Sequence, residues 1–365
     1  MANIALVHDY LTQQGGAENV FKIFMEIFSD APIYTFFYDY KKFEYILAGK
    51  KIHSSFLQKI PLIAKHYRWT LPFMPKITES FDFSSYDIVL SNTSAFSKGI
   101  ITNPKTKHIC YCHTPTRYLW IDSEEYVREL KYNHLVKRII PFLLKNLRQW
   151  DKKAAGRVDK YLTNSLEVHE RIKKYYNRDS QVIYPPVDVD NYYLSDNVEI
   201  DPAKGYYLIG GRLVSYKRYD LVVISFNRMG IKLKIFGEGP EEQKLKKMAR
   251  ANIEFLGRIN EKQKQELMSK CIAFVHPQVE DFGITPVETM ASGRPVIAYR
   301  AGGVKESVVD GITGEFFPEQ TWESLAETVI KFRPENFDPQ KIRAQAEKFG
   351  VERFKREIRE AVLED

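Results

Sequence analysis

Two basic and two acidic residues in the second half of the chain have the types and spacing of a site for an anionic, hydroxyl-bearing ligand. Arg212 and Lys217 follow a Gly-Gly pair, and Glu280 and Glu288 stand eight positions apart further along. The planar fork of an arginine and the movable charge of a lysine suit the oxygens of a diphosphate, whose developing charge they could stabilise without a metal ion. A basic turn on a basic protein is the alternative explanation.

The segment between the two glutamates predicts the start of a helix. Pro286 suits a first helical turn, which would leave backbone N–H groups of residues 282–285 directed at a ligand. Glu288 would lie one turn inside that helix and Glu280 on the loop before it, so both carboxylates could face one ligand. Two glutamates at this spacing are common by chance, and the Phe-Gly and Thr-Pro pairs between them make the pattern specific.

The first half of the chain offers weaker signals. Gly15-Gly16-Ala17-Glu18 follows the polar end of the first predicted strand, where glycines let backbone amides approach a ligand, although a tight turn is the simpler explanation. The GxGxxG fingerprint is absent here and at both later glycine turns, which disfavours NAD. His113 follows an apolar strand, and a lone histidine is more often structural than functional. Cys110 and Cys112 alternate along that strand and are interpreted as packing residues.

The elements that must position these residues alternate between strand and helix. Strands are predicted at 4–8, 33–37, 88–91, 108–112 and 160–163, and then, after the Pro185-Pro186 linker, at 206–209, 232–236, 253–256, 272–276 and 295–299. Helices are predicted between the later strands at 219–229, 241–250, 262–270 and 285–292. This pattern predicts an α/β protein of two Rossmann-like, doubly wound domains facing a central cleft. The boundaries are 1–185 and 186–346, with a terminal helix within 340–363 that packs back on the first domain from about residue 347.

These motifs taken together resemble the retaining family 4 glycosyltransferases, which have the GT-B fold. The resemblance is carried by the Gly15–Glu18 loop, Gly211-Arg212 with Lys217, and the two glutamates around Phe282-Gly283, followed by the stretch from Ala291 to Ala298 and Gly302-Gly303. It spans most of the chain. The segment His113-Thr-Pro-Thr-Arg117-Tyr-Leu-Trp is similar to bacterial mannosyltransferases and related enzymes of O-antigen and exopolysaccharide assembly.

The resemblance implies roles for individual residues. The catalytic set would be Glu280, His113, Arg212 and Lys217, with the two cations on the diphosphate of a nucleotide sugar and His113 beside the reacting sugar, across the cleft from Glu280. Glu288 would bind the ribose, and Glu280 with the amides of Phe282, Gly283, Ile284 and Thr285 would bind the sugar. Gly15, Gly16, Gly237 and Arg258 complete the donor side, and Asp9, Glu18 and Arg117 the acceptor side. GDP-mannose is the preferred donor, UDP-glucose or a UDP-N-acetylhexosamine the alternative, and neither a metal ion nor another cofactor is expected.

The charge of the chain is concentrated away from these cations. The 365 residues carry a net charge of +7, and residues 1–180 hold an excess of nine positive charges, whereas residues 181–365 hold an excess of two negative ones. Residues 41–80 contain eight basic and two acidic residues among aromatic ones, and Lys131 to Lys153 with Ile139, Ile140, Phe142 and Leu143 is a second such stretch. Nucleic acid, an anionic membrane or a plain solvated face could each explain this. Without a helix-turn-helix, RRM or zinc motif, nucleic acid is disfavoured.

These features predict an enzyme on the inner face of the plasma membrane. Three cysteines are too few for a disulfide framework and favour a reducing compartment. Apolar runs are well below the roughly 20 residues that span a bilayer, and the N-terminus does not resemble a signal peptide. A cytoplasmic, peripheral protein is therefore expected, with a lipid-linked or oligosaccharide acceptor. An epimerase or phosphorylase on the same fold is a minor alternative.

Overall fold

The chain forms two compact units in the structure, which is a computed structural model. It describes residues 2–13, 15–60, 63, 67–121, 123 and 134–364, without the side chains of 67–69 and 134–139. The first unit contains residues up to Tyr184 together with those from Lys355 onwards, and the second is Pro185–Phe354. Within the described residues, no helix is both long and apolar enough to cross a bilayer.

The first unit is built on a parallel sheet of seven described strands. They are β1 (Ile4–Leu11), β2 (Ile33–Tyr38), β3 (Ile52–Ser54), β4 (Ile88–Thr93), β5 (Lys107–Cys112), β6 (Lys160–Thr163) and β7 (Gln181–Val182), in the order β3-β2-β1-β4-β5-β6-β7. Its helices are α1 (Gly16–Ile27), α2 (Tyr40–Leu47), α3 (Met74–Thr78), α4 (Arg117–Trp120), α5 (His134–Ala155) and α6 (Leu166–Tyr176). The strand order reverses between β1 and β4, and the crevice at such a reversal is where sheets of this kind bind ligands.

The second unit repeats this plan with six described parallel strands. They are β8 (Tyr207–Gly210), β9 (Leu233–Phe236), β10 (Ile253–Gly257), β11 (Phe274–His276), β12 (Val296–Tyr299) and β13 (Gly314–Phe317), in the order β10-β9-β8-β11-β12-β13. Its helices are α7 (Tyr219–Met229), α8 (Glu242–Met248), α9 (Glu261–Lys270), α10 (Ile284–Ala291), α11 (Val304–Ser307), α12 (Trp322–Lys331) and α13 (Pro339–Glu347). Here the order reverses between β8 and β11. The predicted class, two Rossmann-like α/β units, is confirmed.

The burial of the strands explains why their positions could be predicted from runs of apolar residues. Parallel strands are covered on both faces and therefore consist of nearly continuous apolar residues. In β1, Ala5, Leu6 and Val7 are fully buried, and the polar residues begin only at His8. Helix α1 turns Val20, Phe21 and Phe24 to this sheet at helical spacing.

The end of the chain departs from the prediction of one helix over 340–363. Two helices are present, α13 and α14 (Val351–Leu363), separated at Lys348–Gly350. The turn before α14 joins the end of the second unit to its beginning, because Val187 N–H donates to the carbonyl of Phe349 at 2.9 Å. Most of α14 then belongs to the first unit, where Ile358 is fully buried and Lys355 Nζ lies 3.2 Å from Glu26.

A charged pair lies in the core of the first unit. Lys98 Nζ is 2.6 Å from Asp151 Oδ1, and both side chains are at most 1% exposed. Asp151 also accepts hydrogen bonds of 2.7 Å from Trp120 Nε1 and from the hydroxyl of Tyr176. A charge this deep is tolerated when it is paired and its remaining lone pairs are filled. The pair thereby ties the loop after β4 to α4, α5 and α6.

Candidate functional site

The carboxyl end of the second unit's sheet brings the loops after β8 and β9 into backbone contact. Gly237 has φ +106°, and a Cβ atom on it would overlap with the carbonyl oxygen of Gly211, which itself has φ +127°. Gly237 N–H donates to Gly257 O at 2.7 Å. Only glycine combines these φ values with such a close approach. Three strand ends are thus held together by backbone alone.

Lys217 and Glu280 form an ion pair at this end of the sheet. Nζ and Oε1 are 2.8 Å apart, and the side chains are 14% and 20% exposed. Burial alone would lower the pKa of Lys217, but the Glu280 carboxylate raises it above its usual value. Burial would likewise raise the pKa of Glu280, and the charge of Lys217, followed by His276, holds it below its usual value. Both groups are therefore charged at neutral pH.

Arg212 adds a second cation beside this pair. It is exposed on the loop after β8, and its charge acts on Lys217. Among the described residues, no acidic side chain pairs with Arg212. The structure therefore places the two predicted cations together, with one held by Glu280 and the other open to an anion.

The loop from Glu280 to Gly283 leads into α10 as predicted. Gly303 N–H donates to Glu280 O at 2.9 Å, so the Gly302-Gly303 turn supports this loop. Gly283 is the N-cap, with φ +92° and no side-chain cap, and the helix begins at Ile284, with Thr285 next. Phe282 is 3% exposed and packs on Phe349, so only its backbone could serve the predicted donor role. The first turn presents N–H groups that favour an anion or a hydroxyl oxygen.

Glu288 is held by a separate set of residues. Lys264 Nζ lies 3.1 Å from Glu288 Oε1 and 2.8 Å from Glu261 Oε2, and the Glu288 carboxylate adds to burial in raising the pKa of the buried Tyr192 hydroxyl. The Glu288 carboxylate raises the pKa of Lys264 although burial opposes it. Sequence reasoning missed Lys264 and Tyr192, because neither lies near a recognisable motif. The two glutamates thus occupy two distinct ion pairs.

The remaining predicted donor residue, Arg258, follows β10. It is exposed and comes directly after Gly257, which has φ +64°. It lies on the loop of the strand that contacts Gly237 through its backbone. The structure thus brings these two predicted donor-side residues, Gly237 and Arg258, to the same end of the sheet.

Three polar side chains that the sequence did not single out lie beneath the Lys217–Glu280 pair. His276 is fully buried, both its ring nitrogens lack a hydrogen-bond partner among the described residues, and burial lowers its pKa to about 4. Its ring lies 3.6 Å from the position a Cβ atom would take on Gly283. Gln278 Oε1 and the Tyr219 hydroxyl are likewise buried without a partner among the described residues. Buried polar groups are normally satisfied, so this region is suited to a polar ligand or ordered water.

In the first unit, a cavity of about 410 Å³ lies at the carboxyl end of β1. Gly15, Gly16 and Glu18 line it, together with Asp9 and Tyr118. Glu18 Oε1 is 3.9 Å from His8 Nε2. Arg117 begins α4 but is not one of the lining residues. The structure therefore gathers three of the predicted glycine-loop residues at the reversal of strand order, and leaves Arg117 outside.

Asp9 does not offer the free carboxylate that the predicted acceptor contact requires. Its two oxygens accept backbone N–H bonds from Ser94, Ala95, Phe96 and Ser97 at 2.7 to 2.9 Å. The Thr93 hydroxyl adds a fifth contact at 3.2 Å. A carboxylate has about four lone-pair sites, and these donors fill them. Asp9 therefore fixes the loop after β4, and its acceptor role is not supported.

His113 lies directly after β5 and is clamped on several sides. Its N–H donates to Thr93 O at 2.9 Å, its carbonyl accepts from Asn164 at 3.1 Å, and the Tyr111 ring packs edge-on at 5.2 Å. Burial, reinforced by His8, lowers the pKa of His113 to about 3, with Asp9 opposing. The imidazole is therefore neutral at physiological pH. Cys110 and Cys112 are buried free thiols, in keeping with a packing role.

The basic, aromatic stretch of residues 41–80 divides into core and surface. Phe43, Leu57 and Met74 are buried, whereas Tyr45, Phe56 and Phe73 are 93%, 61% and 61% exposed. Lys41, Lys51, Lys59 and Lys76 are exposed as well. Lys65, Lys131 and the side chains of Arg68, Trp69 and Ile139 lie outside the described residues, while Phe142 is 65% exposed.

Comparison with known protein families agrees with these two units. Residues 193–349 match the family described as glycosyl transferases group 1, and residues 33–191 match glycosyltransferase family 4. The two matches together include every described strand of both sheets except β1.

Individual relatives are more distant. The α-1,3/1,6-mannosyltransferase ALG2 of Dictyostelium discoideum is 28% identical over 284 residues, 64% of each chain. A GDP-mannose-dependent α-mannosyltransferase of Corynebacterium glutamicum is 33% identical over 117 residues, 31% of this chain and 28% of that one. The chain thus spans less than two thirds of the length of these curated relatives. Anabaena HepE, solved with UDP and glucose, superimposes with a TM-score of 0.71 at 18% identity over 99% of each chain, which shows a shared fold.

Proposed function

Since this chain belongs to the family 4 glycosyltransferases with the GT-B fold, we propose that it is a retaining enzyme that transfers a hexose from a nucleotide diphosphate sugar to a glycan hydroxyl. The observation that carries this proposal is the Lys217–Glu280 pair with Arg212 beside it, at the N-terminus of α10. The two cations suit a diphosphate, and the carboxylate with the first-turn amides suits sugar hydroxyls.

We assign each residue of the candidate site a role in binding the donor. Lys217 and Arg212 hold the diphosphate and stabilise the charge that develops on the leaving phosphate. Glu280 and the amides of residues 282–285 hold the sugar, and Glu288, oriented by Lys264, holds the ribose. The neutral His113 contacts a sugar hydroxyl. These contacts position the donor without placing an enzyme nucleophile on the sugar.

The proposed chemical step is a front-face displacement. The bond between the anomeric carbon and the diphosphate oxygen breaks, and the electron pair leaves on that oxygen. The acceptor hydroxyl attacks from the same face, and its proton passes to the departing phosphate oxygen. The new glycosidic bond keeps the anomeric configuration. Because Lys217 and Arg212 supply the positive charge, we propose that no metal ion is required, so activity persists in excess EDTA.

Mannose from GDP-mannose is the proposed donor. The relatives support this, since ALG2 is a mannosyltransferase and the Corynebacterium enzyme depends on GDP-mannose. The alternative is UDP-glucose or a UDP-N-acetylhexosamine, favoured by the UDP and glucose in the similar HepE structure. The base would lie by the loops of Gly237 and Arg258.

The acceptor is proposed to be a lipid-linked glycan reached at an anionic membrane. The cavity lined by Glu18, next to the donor-side glycines Gly15 and Gly16, would receive the acceptor hydroxyl. Exposed Tyr45, Phe56 and Phe73 among exposed lysines combine apolar area with positive charge, which suits the inner face of a membrane. Salt-sensitive binding to anionic vesicles tests this step, and equal binding to neutral vesicles at high salt contradicts it.

A donor screen tests the central proposal. Thermal unfolding is measured with GDP-, UDP-, ADP- and dTDP-sugars, since a ligand at 100 times its Kd stabilises by about 2.7 kcal/mol. The stabilising donor is then incubated with polyprenyl-linked and free oligosaccharides, and the product linkage is determined by NMR. Stabilisation by GDP-mannose with a retained linkage is expected. Stabilisation by none of the donors, or an inverted linkage, overturns the proposal.

A further inference from the structure

Asn92 joins three elements of the first unit through a single amide group. It is the second-to-last residue of β4 and is fully buried. Its Nδ2 donates to the carbonyl of Ala17 in α1 at 2.9 Å and lies 3.0 Å from His8 Nδ1 in β1. Its Oδ1 lies 2.7 Å from His113 Nε2. The loop after β5 is therefore linked to α1 and β1 through this side chain.

The carbonyl of Ala17 decides which way the Asn92 amide points. A carbonyl oxygen only accepts, so the Asn92 atom facing it must be the NH₂ nitrogen. The atom facing His113 is then the amide oxygen, which also only accepts. His113 Nε2 must therefore carry the ring proton, since a neutral imidazole has one donor and one acceptor.

The other ring nitrogen of His113 is left as an acceptor. Among the described residues, no group donates a hydrogen bond to Nδ1. The ring is held in place by its contact with Asn92, by the edge-on Tyr111 ring 5.2 Å away and by burial. The residue is 9% exposed, so it keeps a small solvent-accessible area.

We propose that Asn92 is a positioning residue that fixes His113 in the Nε2–H tautomer and so presents Nδ1 as a hydrogen-bond acceptor for a hydroxyl of the sugar substrate. Only the identity of that partner rests on the proposed function, because the tautomer is a property of the protein alone. Burial keeps the ring neutral. In this arrangement His113 accepts a hydrogen bond and does not act as an acid.

The tautomer is measured directly by long-range ¹H–¹⁵N NMR of the ¹⁵N-labelled full chain, with a His113→Gln variant to assign the signals. A single Nε2–H tautomer that does not titrate between about pH 5 and 9 is expected for a neutral buried ring. An Nδ1–H tautomer, or a mixture of the two, overturns the inference. This measurement needs no substrate and no altered Asn92.

An Asn92→Asp variant tests the positioning role. A carboxylate at this position favours the imidazolium and raises the pKa of His113. Of the neighbouring groups, Asp9 also raises this pKa and His8 lowers it. Below the new pKa, Nδ1 is protonated and stops accepting, so kcat/KM falls about tenfold for each further pH unit, while the wild type stays flat. Asn252→Asp in the second unit is the matched control, since Asn252 Nδ2 makes similar bonds to the carbonyls of Phe226 and Ile231. It is expected to leave the His113 signals and the flat pH profile unchanged.

The two proposals fail in different ways. If the Asn92→Asp enzyme keeps the wild-type tautomer and pH profile, Asn92 does not position His113. If that variant does not fold, the wild-type tautomer still decides the inference. A wild type that shows the Nε2–H tautomer but is not stabilised by any nucleotide sugar contradicts the proposed function and leaves the tautomer assignment standing.

Discussion

Lys217 Nζ lies 2.8 Å from Glu280 Oε1, so the residue proposed for the diphosphate and the residue proposed for the sugar are bonded to each other. A phosphate that engages Lys217 must compete with this carboxylate. A donor that carries both a diphosphate and a sugar engages both partners at once and leaves neither charge without compensation. The pair therefore favours the intact nucleotide sugar over the free nucleoside diphosphate.

Replacing Glu280 with glutamine is expected to separate binding from turnover. Loss of the competing carboxylate should tighten nucleoside diphosphate binding a few-fold, while loss of the sugar contact should lower kcat/KM by about 100-fold, as for other transition-state contacts. Calorimetry with the diphosphate and steady-state kinetics with the sugar nucleotide measure the two effects.

Lys246→Met serves as the control for charge removal in this unit. Lys246 forms an exposed pair with Glu242 at 2.7 Å, and such pairs contribute little. Its kinetics should match the wild type. A Glu280→Gln variant that weakens diphosphate binding would show that the carboxylate assists the phosphate site instead of competing with it.

The backbone contact between the loops after β8 and β9 predicts a sharp difference between two glycines. Gly237→Ala should destabilise the second unit by more than about 2 kcal/mol, because the new methyl group meets the carbonyl of Gly211 at a φ of +106°. Gly230→Ala, at φ +71° with nothing within 4 Å, should cost about 1 kcal/mol of conformational strain. Guanidinium unfolding measures both, and equal losses would contradict the role given to the loop contact.

The buried pair of the first unit predicts a large loss of stability. Asp151→Asn leaves Lys98 without its counter-charge and should lower the free energy of unfolding by about 3 to 5 kcal/mol. Glu327→Gln, which removes the exposed partner of Lys331 in α12, should stay within about 0.5 kcal/mol. Chemical denaturation of both variants gives the comparison. A loss for Asp151→Asn no larger than that of Glu327→Gln would mean that the pair adds no stability.

Buried neutral histidines predict acid sensitivity well above the pH at which the carboxylates titrate. Burial lowers the pKa values of His108 and His113 to about 3 and of His276 to about 4. The unfolded chain binds these protons near pH 6.5, so stability is lost as the pH falls from there towards 4, by about 1.4 kcal/mol per pH unit for each histidine. Unfolding at pH 7 and about pH 5 measures this slope. The His108→Gln variant should lower the pH dependence of the first unit's free energy of unfolding by the contribution of one proton, about 1.4 kcal/mol per pH unit. An unchanged pH dependence would contradict the argument from burial.

Much of the fold and part of the site could be predicted from sequence because both depend on residues that are close together in the chain. Apolar strands ending at Arg212, His113 and Gly237 placed these residues at strand ends, where the structure has them. The edge strands β3, β7 and β13 are absent from the predicted strands, since short edge strands carry little apolar signal. The break at Gly350 was missed because the apolar spacing continues across it.

What could not be predicted depends on contacts between distant segments. Lys264 pairs with Glu288 from another helix, and no spacing in the sequence links them. Asp9 has the polar character of a ligand contact, but the conformation of residues 94–97 directs four N–H groups at it. His276 ends a strand like a site residue, yet it is fully buried.

The helix α14 has a consequence for the order in which the protein folds during synthesis. Residues 185–354 form the second unit, and the Val187–Phe349 bond closes it before the last residues are needed. The first unit still lacks Ile358, Ala361 and Val362, which are buried in it, until residues 355–364 have left the ribosome. The second unit therefore needs no residue beyond 354, whereas the surface of the first unit that α14 covers stays exposed until residues 355–364 pack on it.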